Sequence, residues 1–531
     1  MIVSIFNDVV GPVMRGPSSS HCAAALRIGC LARDLMGGAI LDVLVEFDRG
    51  GSLPTTHDTQ GSDMGLFGGL LGWDAADPRL PESDQALRDA GIRLAIETVD
   101  AGDPHPNTYR LTLRNEDEVH TLRAISTGGG MIEVIDLDGY ELSIYGDVYV
   151  TLLWLKSDVP EEVQRTVSEI EALAVVDDVR VHESGEGRLI EVQGMSFLSD
   201  EMVSTLSGVA GVKRLSPVLP VLSPKGVSVP YGSCDEMLEW DAGRGTPLWQ
   251  LAVEYEKARG GLEEDEIVAK MVGIVRILRE SIASGVAGTE YDDRVLGHQC
   301  GRFDEKMRTG ELLEAGTLNR IILYVTALME VKSSLGVIVA APTAGACAAL
   351  PGAVIAMAES MDLDEEAMAR AMLASGLIGV FIATRWSFAA EVGGCQAEGG
   401  SAASMGAAAL VTLAGGTQAQ AIAAASMAMQ SMVGLICDPV ANRVEVPCLG
   451  KNVIAASNAL SCANMALSDY DPVIPLDEVV DTAKAVAKQM PREVRCTNLG
   501  GLSITPTSKR LEKQLADARE AKACGSGCGC G

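Results

Sequence analysis

The sequence predicts a chain of several domains: an α/β N-terminal domain, a ferredoxin-like α+β middle module and an all-α C-terminal domain. Three observations carry this expectation. Over residues 1–147, strand-like runs such as Ile40–Phe47 alternate with helix-like runs such as Ser20–Leu35, and glycine-rich turns such as Gly128-Gly129-Gly130 punctuate them. Over 148–222 the pattern changes to β-α-β-β-α-β. From 234 to 520 long Ala-, Met- and Leu-rich segments follow one another, broken by Pro and Gly, with no convincing strand.

Within the middle module, Val148–Leu155 reads as a strand and Pro160–Ala172 as a helix opened by Pro and Glu. Val175–His182 and Leu189–Val192 read as strands around the turn Ser184-Gly185-Glu186-Gly187. Ser199–Ser207 reads as a second helix and Gly211–Leu215 as a last strand. Regulatory amino-acid-binding (ACT) domains have this order; a spacer or dimerisation module is the other reading. Pro-rich Ser216–Tyr231 reads as extended chain, and the domain linker is placed at 223–233. In the helical domain, Leu363–Leu377 and Gln418–Ile436 are expected helices. Leu335–Met357 is long and apolar, but Pro342 and Pro351 interrupt it, so a buried core helix is expected rather than a membrane span. Residues 521–531 form a Gly-rich, flexible tail carrying Cys524, Cys528 and Cys530.

Bulk composition bounds the function. With 531 residues, 47% of them hydrophobic, the chain can bury a large core. Roughly three domains of ~100–200 residues are expected. Aromatics are scarce, at 4%, while Gly numbers 57, which suits close-packed helices with small-residue interfaces. A net charge of −30 and a pI near 4.6 argue against nucleic acid and anionic membrane as partners, and solubility is the plain reading of the charge. The N-terminal MIVSIFNDVVGP lacks the basic segment and apolar run of a signal peptide. Thirteen cysteines, an odd number, then indicate reduced thiols and a cytoplasmic protein, with a homodimer as the expected assembly.

Three cysteines stand at helix ends. Cys395 lies in the Gly-flanked EVGGCQAEGG; Cys437 follows the segment Gln418–Ile436, which Asp438-Pro439 stops; Cys448 follows Pro447 and leads into the helix Lys451–Leu467. A thiol at a helix N-terminus loses its proton more easily, and thiolates at loop–helix junctions suit soft metals and iron–sulfur clusters. Three ligands leave one iron of a four-iron cluster open as a Lewis acid. Spacing alone leaves the other reading, three core cysteines, in place, because C-x10-C is not a zinc-site pattern.

Longer motifs add to this. GGCQAEGGSAASM, GLICDPVANRVEVPCLGKN, APTAGACAALPG, ASNALSCANMAL and NLGGLSITPTSKRLEK closely resemble the α domain of iron–sulfur L-serine dehydratases. VVGPVMRGPSSSHCAAALRIG, HPNTYRLTL and STGGGMIEV resemble the β domain of that family. The resemblance covers nearly the whole chain. It implies a lyase that dehydrates and deaminates a small hydroxy amino acid, by default L-serine to pyruvate and ammonia, on a [4Fe–4S] cluster held by Cys395, Cys437 and Cys448. In some members a C-terminal cysteine occupies the open iron, and here Cys524, Cys528 or Cys530 would be that ligand; a solvated end is the other reading.

The resemblance also implies catalytic residues at Ser18, Ser19, Ser20 and His21 of GPSSSH, although serines at a helix start also serve as N-caps. Substrate contacts are expected from Thr343, Arg385 and Ser387. The pattern departs at Gln60, where the family often has His and where His57 is the nearest imidazole. It departs again at Thr384-Arg385-Trp386-Ser387 and at Arg294-Val295-Leu296-Gly297-His298. Arg385 adds a fork donor suited to a carboxylate; a helix-end or surface role is its alternative. Because these departures fall where substrate would be read, two same-class alternatives stay open: a β-hydroxy dicarboxylate, or cysteine losing sulfide. A non-catalytic iron–sulfur sensor with the ACT-like module as ligand reader is the rival of another class.

Overall fold

The computed structural model describes residues 2–185 and 187–526, with residues 20, 520 and 522–526 described by their backbone alone. The chain is mixed α/β with a helical C-terminal region. It forms two compact units: one is Ser18–Ser228; the other joins Val3–Pro17 to the chain from Val229 onward.

In the unit Ser18–Ser228, a six-stranded sheet has the order Arg93–Val99, Asp42–Asp48, Thr108–Arg114, Val119–Gly128, Met131–Leu137, Tyr140–Ile144; only the first pair is parallel. Alternation builds its core face. Val43, Val45 and Phe47 point inward with Leu111, Leu113 and Leu122, beneath the helices Ala24–Leu35 and Ser62–Leu71.

A second, four-stranded antiparallel sheet has the order Val209–Leu215, Tyr149–Leu155, Gly187–Gly194, Asp178–Ser184. With helices Pro160–Glu171 and Asp200–Thr205 it follows the expected β-α-β-β-α-β order. One face, through Leu153, Ile190 and Val192, packs on Val163, Val167 and Ile170 of its own helix. The other, through Val150, Leu152, Leu189 and Leu215, is buried in the same core as the six-stranded sheet. Residues 148–222 therefore do not stand apart as a free module, because one sheet face lacks helices of its own and takes the neighbouring core as its cover.

In the helical unit, Ser401–Leu413 is the hub. Its Ser, Ala, Gly and Met residues are buried on nearly every side by Ala349–Ser360, Glu365–Arg385, Gln418–Gln430 and Cys448–Leu467. A helix apolar all round belongs in such a core. Glu365–Arg385 is the one helix among the described residues long and apolar enough to cross a membrane, and it is mostly buried within the protein.

Three sequence expectations change here. The run Leu335–Met357 is not one helix: Val337–Val339 is a short strand, and the helix begins only at Ala349, after the Pro342–Gly345 loop. That strand pairs antiparallel with Val13–Arg15, matching Val13 to Val339 and Arg15 to Val337, so the helical region does contain a strand. The helix expected over Gln418–Ile436 ends at Gln430, because Gly434 adopts φ +90° and Gln396 captures the following loop through the Gly434 N–H and the Leu435 carbonyl.

Candidate metal centre

Cys395 follows the short helix Ala390–Gly393, just before a π-turn over Gln396–Gly400 that leads into the hub helix. Gln396 fixes this turn: its side-chain oxygen accepts the Gly434 N–H (2.8 Å), its side-chain nitrogen donates to the Ala483 carbonyl (3.0 Å), and its own N–H donates to the Leu435 carbonyl (2.9 Å). The loop bearing Cys437 is thereby held against Cys395.

The outcome is a group of donor atoms placed to hold a metal ion. One donor atom each from Cys395, Glu398 and Cys437 lies within 4.8 Å of the other two. Cys395 and Cys437 are each 4% exposed, so the sulfurs are shielded from bulk water. Lys451, from the helix Cys448–Leu467, reaches in. Its Nζ donates to the Asp438 carboxylate (2.6 Å) and the Ile436 carbonyl (2.7 Å) and lies 3.7 Å from Cys395 Sγ. Burial opposes the charge on Lys451, but Cys395 and Asp438 outweigh it and raise its pKa.

Glu398 takes a hydrogen bond from the Thr343 hydroxyl (2.8 Å), and burial pushes its carboxyl up to about 7. Cys448 opens its helix as expected and is buried. Asn452 bonds the Cys448 and Gly345 carbonyls and accepts the Ala348 and Ala349 N–H groups, tying this helix start to the Thr343 loop. The Cys448 thiol feels the charges of Cys395 and Glu398 but lies outside the 4.8 Å group; burial is the main force raising its pKa. Cys437 is raised too, chiefly by hydrogen bonding to the thiols of Cys395 and Cys496. Burial and crowding thus overcome the helix-end effect for these thiols. The two sulfur donors, Cys395 and Cys437, are soft, close and dry, which fits a thiolate-bound iron–sulfur group.

Arg385 ends its helix with its fork committed to Asp481 (2.6 and 3.2 Å) and with Asp477 3.7 Å away. Ser387 caps the next turn by accepting the Ala389 N–H (3.0 Å). Cys528 and Cys530 lie outside the described residues, as does the side chain of Cys524.

In the other unit, Ser18 stands at the N-cap of the π-turn Ser19–Ala23, but its hydroxyl makes no capping bond. It meets His21 Nδ1 instead (3.1 Å), while His21 Nε2 meets the Thr56 hydroxyl (3.1 Å). Thr56 donates its proton to the Ser52 carbonyl (2.8 Å). Thr56 must then accept from His21 Nε2–H, which leaves Nδ1 to accept from Ser18. Burial lowers the His21 pKa to about 4, so this imidazole stays neutral. Ser19 is buried, and the Ser20 side chain lies outside the described residues. His57 Nδ1 faces both carboxylate oxygens of Asp63 (2.7 and 2.8 Å), and that hydrogen bond raises its pKa.

The family model described as "Serine dehydratase alpha chain" matches residues 243–503. An L-serine dehydratase of Streptomyces coelicolor is 32% identical over 511 residues, covering 95% of this chain and 99% of the relative. The chain belongs to the L-serine dehydratase family. Family membership makes it an enzyme, a lyase. Among other relatives, the probable L-serine dehydratase α chain of Bacillus subtilis is 36% identical over 252 residues, 48% of this chain and 84% of the relative. The β chain from the same organism is 42% identical over 144 residues, 27% and 64% respectively.

For this dehydratase-family centre, sequence reasoning missed Glu398, Lys451 and Cys496. Glu398 and Lys451 stand three residues after Cys395 and Cys448, inside the quoted motifs, and that adjacency was the available signal. Cys496 had none.

Proposed function

We propose that this chain is an iron–sulfur L-serine dehydratase that converts L-serine to pyruvate and ammonia. The observation carrying this is the convergence of the Cys395 and Cys437 sulfurs with a Glu398 oxygen inside 4.8 Å, in a chain of this family. Cys395, Cys437 and Cys448 would hold a [4Fe–4S] cluster, which when bound supplies Lewis-acid assistance to the departing hydroxyl. The protein's own residues supply the rest. Lys451 steadies negative charge on Cys395. Glu398, oriented by Thr343, carries a carboxyl whose pKa near 7 suits it to give a proton to a leaving oxygen and take one back. In the Ser18–Ser228 unit, neutral His21 Nδ1 accepts the Ser18 proton, which suits the Ser18 oxygen for binding a polar substrate group. Loss of the α-proton and the β-hydroxyl leaves aminoacrylate and water; tautomerisation to the imine and hydrolysis give pyruvate and ammonia. The β-α-β-β-α-β region supports a reading as an ACT-like, ligand-reading module.

The test is anaerobic reconstitution with iron and sulfide, followed by a screen of L-serine, L-cysteine and β-hydroxy dicarboxylates. Equal amounts of pyruvate and ammonia from L-serine are expected, and Cys395→Ser, Cys437→Ser and Cys448→Ser should each lose iron. Iron-loaded protein that leaves L-serine intact would sink the serine assignment, and turnover of a dicarboxylate instead would redirect it.

A further inference from the structure

Cys496 lies in the loop between the 3₁₀ turns Arg492–Val494 and Gly501–Ile504, and the backbone sets it beside Cys437. The Cys437 N–H donates to the Val494 carbonyl (2.8 Å), and the Cys496 N–H donates to the Cys437 carbonyl (3.1 Å). A parallel bridge between Cys437 and Arg495 completes this clamp. The side chains follow. Cys496 packs on the cluster formed by Ala390, Cys395 and Cys437, which sets its thiol beside theirs.

Two further features separate Cys496 from a bystander. Its φ is +58°, a left-handed conformation that glycine adopts without strain and a side-chain-bearing residue does not. It is also partly exposed, whereas Cys395, Cys437 and Cys448 are only 4–5% exposed. We propose that Cys496 is a sulfur ligand of the metal centre, a fourth thiolate supplied by the body of the helical unit. This rests on the iron–sulfur reading above. The three buried sulfurs are the permanent holders. Cys496, with access to solvent, is the donor that a small-molecule ligand can replace. Each thiol gives up its proton on ligation, so this donor set binds metal with proton release.

The test uses the full-length protein, reconstituted anaerobically with 57Fe and sulfide, alongside Cys496→Ser, Cys496→Ala and a chain ending after Ala523. Iron and sulfide per chain, Mössbauer spectra and the rate of iron loss to a chelator are measured, with circular dichroism to confirm folding. In Cys496→Ala one iron site should change its Mössbauer parameters, and iron loss should quicken by at least the ~10-fold typical of removing even an outer-sphere partner of a metal site. Cys496→Ser, which keeps size and polarity, controls for packing and should show the same changed site. The shortened chain should match the intact protein. Spectra and release rates in both Cys496 variants identical to the parent would overturn the inference, as would a Cys437–Cys496 disulfide in the iron-loaded parent. Failure of the parent to take up any cluster would overturn the iron–sulfur reading itself, so the two failures are distinguishable.

Discussion

His21 and His57 share one unit, and their surroundings drive them in opposite directions. His57 gains a carboxylate partner, so it contributes stability that is full below its unfolded pKa and is lost as pH rises through its raised folded value. His21 is buried among hydroxyls, and its folded pKa is about 4 against an ordinary 6.5. Between these values the unfolded chain binds a proton that the folded chain refuses. The His21 contribution is therefore fully favourable above pH 6.5 and declines as pH falls toward 4. At about 1.4 kcal/mol per pH unit this reaches at most about 3 kcal/mol, less where the ring keeps some solvent. His21→Asn should thus lose less stability than the parent between pH 7 and pH 5, read as urea midpoints of the transition of the Ser18–Ser228 unit. Equal losses would mean that His21 protonates freely in the fold. The residue scale is also where the site was half legible. Cys395, Cys437 and Cys448 could be picked out only because the long motifs around them resemble those of a known family; their spacing and helix-end context alone left the reading as three core cysteines in place. Cys496 could not, because nothing local marks it: its place beside Cys437 comes from two loops clamped by backbone hydrogen bonds between segments remote in sequence.

At the scale of elements, glycine sets how closely helices approach. The helices Ala24–Leu35 and Ser62–Leu71 cross on Gly29, Gly65 and Gly69. A Cβ on Gly69 would lie 2.2 Å from the Leu26 carbonyl oxygen and 2.8 Å from the Cys30 nitrogen, both backbone atoms that no side-chain rotation can move aside. Gly69→Ala must push the helices apart. Overpacking of this kind costs on the order of 1–3 kcal/mol, and because the struck atoms are backbone the upper end applies, which outweighs the gain in helix propensity of about 1 kcal/mol from Gly to Ala. A lowered urea midpoint with an unchanged slope is the expected outcome; an unchanged midpoint would show that the crossing is loose. The abundance of glycine and scarcity of aromatics made this style of packing readable in advance, and alternation made the long strands readable. Val337–Val339 was not readable, because a three-residue strand in an apolar Ala/Gly/Val run has no period to detect and its partner lies near the other end of the chain. The early end of Gln418–Gln430 was hidden for a related reason: apolar residues continue to Ile436, and only the side chain of Gln396 and the positive φ of Gly434 divert them from the helix.

At the scale of the whole molecule, the N-terminal segment is the least legible part, since its sequence continues without a break into the α/β region while its packing belongs to the helical unit. Ile5, Phe6, Val9, Val10 and Met14 are all essentially inaccessible to solvent. Ile5 fits over Gly376 and Val9 over Gly379 of the helix Glu365–Arg385, where a Cβ would strike them at 2.4 and 2.1 Å. Tyr255 donates its hydroxyl to the Val3 carbonyl (2.8 Å), the buried Glu256 accepts the Ile5 N–H, and Val13–Arg15 supplies the pairing partner of Val337–Val339. Each large apolar side chain so buried is worth about 1.5–3 kcal/mol as an upper range. Removing the segment also strips hydrogen-bond partners from Glu256 and from one edge of Val337–Val339, groups that burial makes costly to leave unpaired. A chain beginning at Ser18 should therefore keep the transition of the Ser18–Ser228 unit while the helical unit melts lower, by on the order of 10 °C or more if several kcal/mol are lost. Scanning calorimetry would separate the two transitions. A synthetic peptide spanning Ile2–Pro17 should restore the second transition in a concentration-dependent way, because a ligand that binds only the folded form stabilises it by mass action. An unchanged helical transition in the shortened chain would mean that the segment fills its groove without holding the unit together.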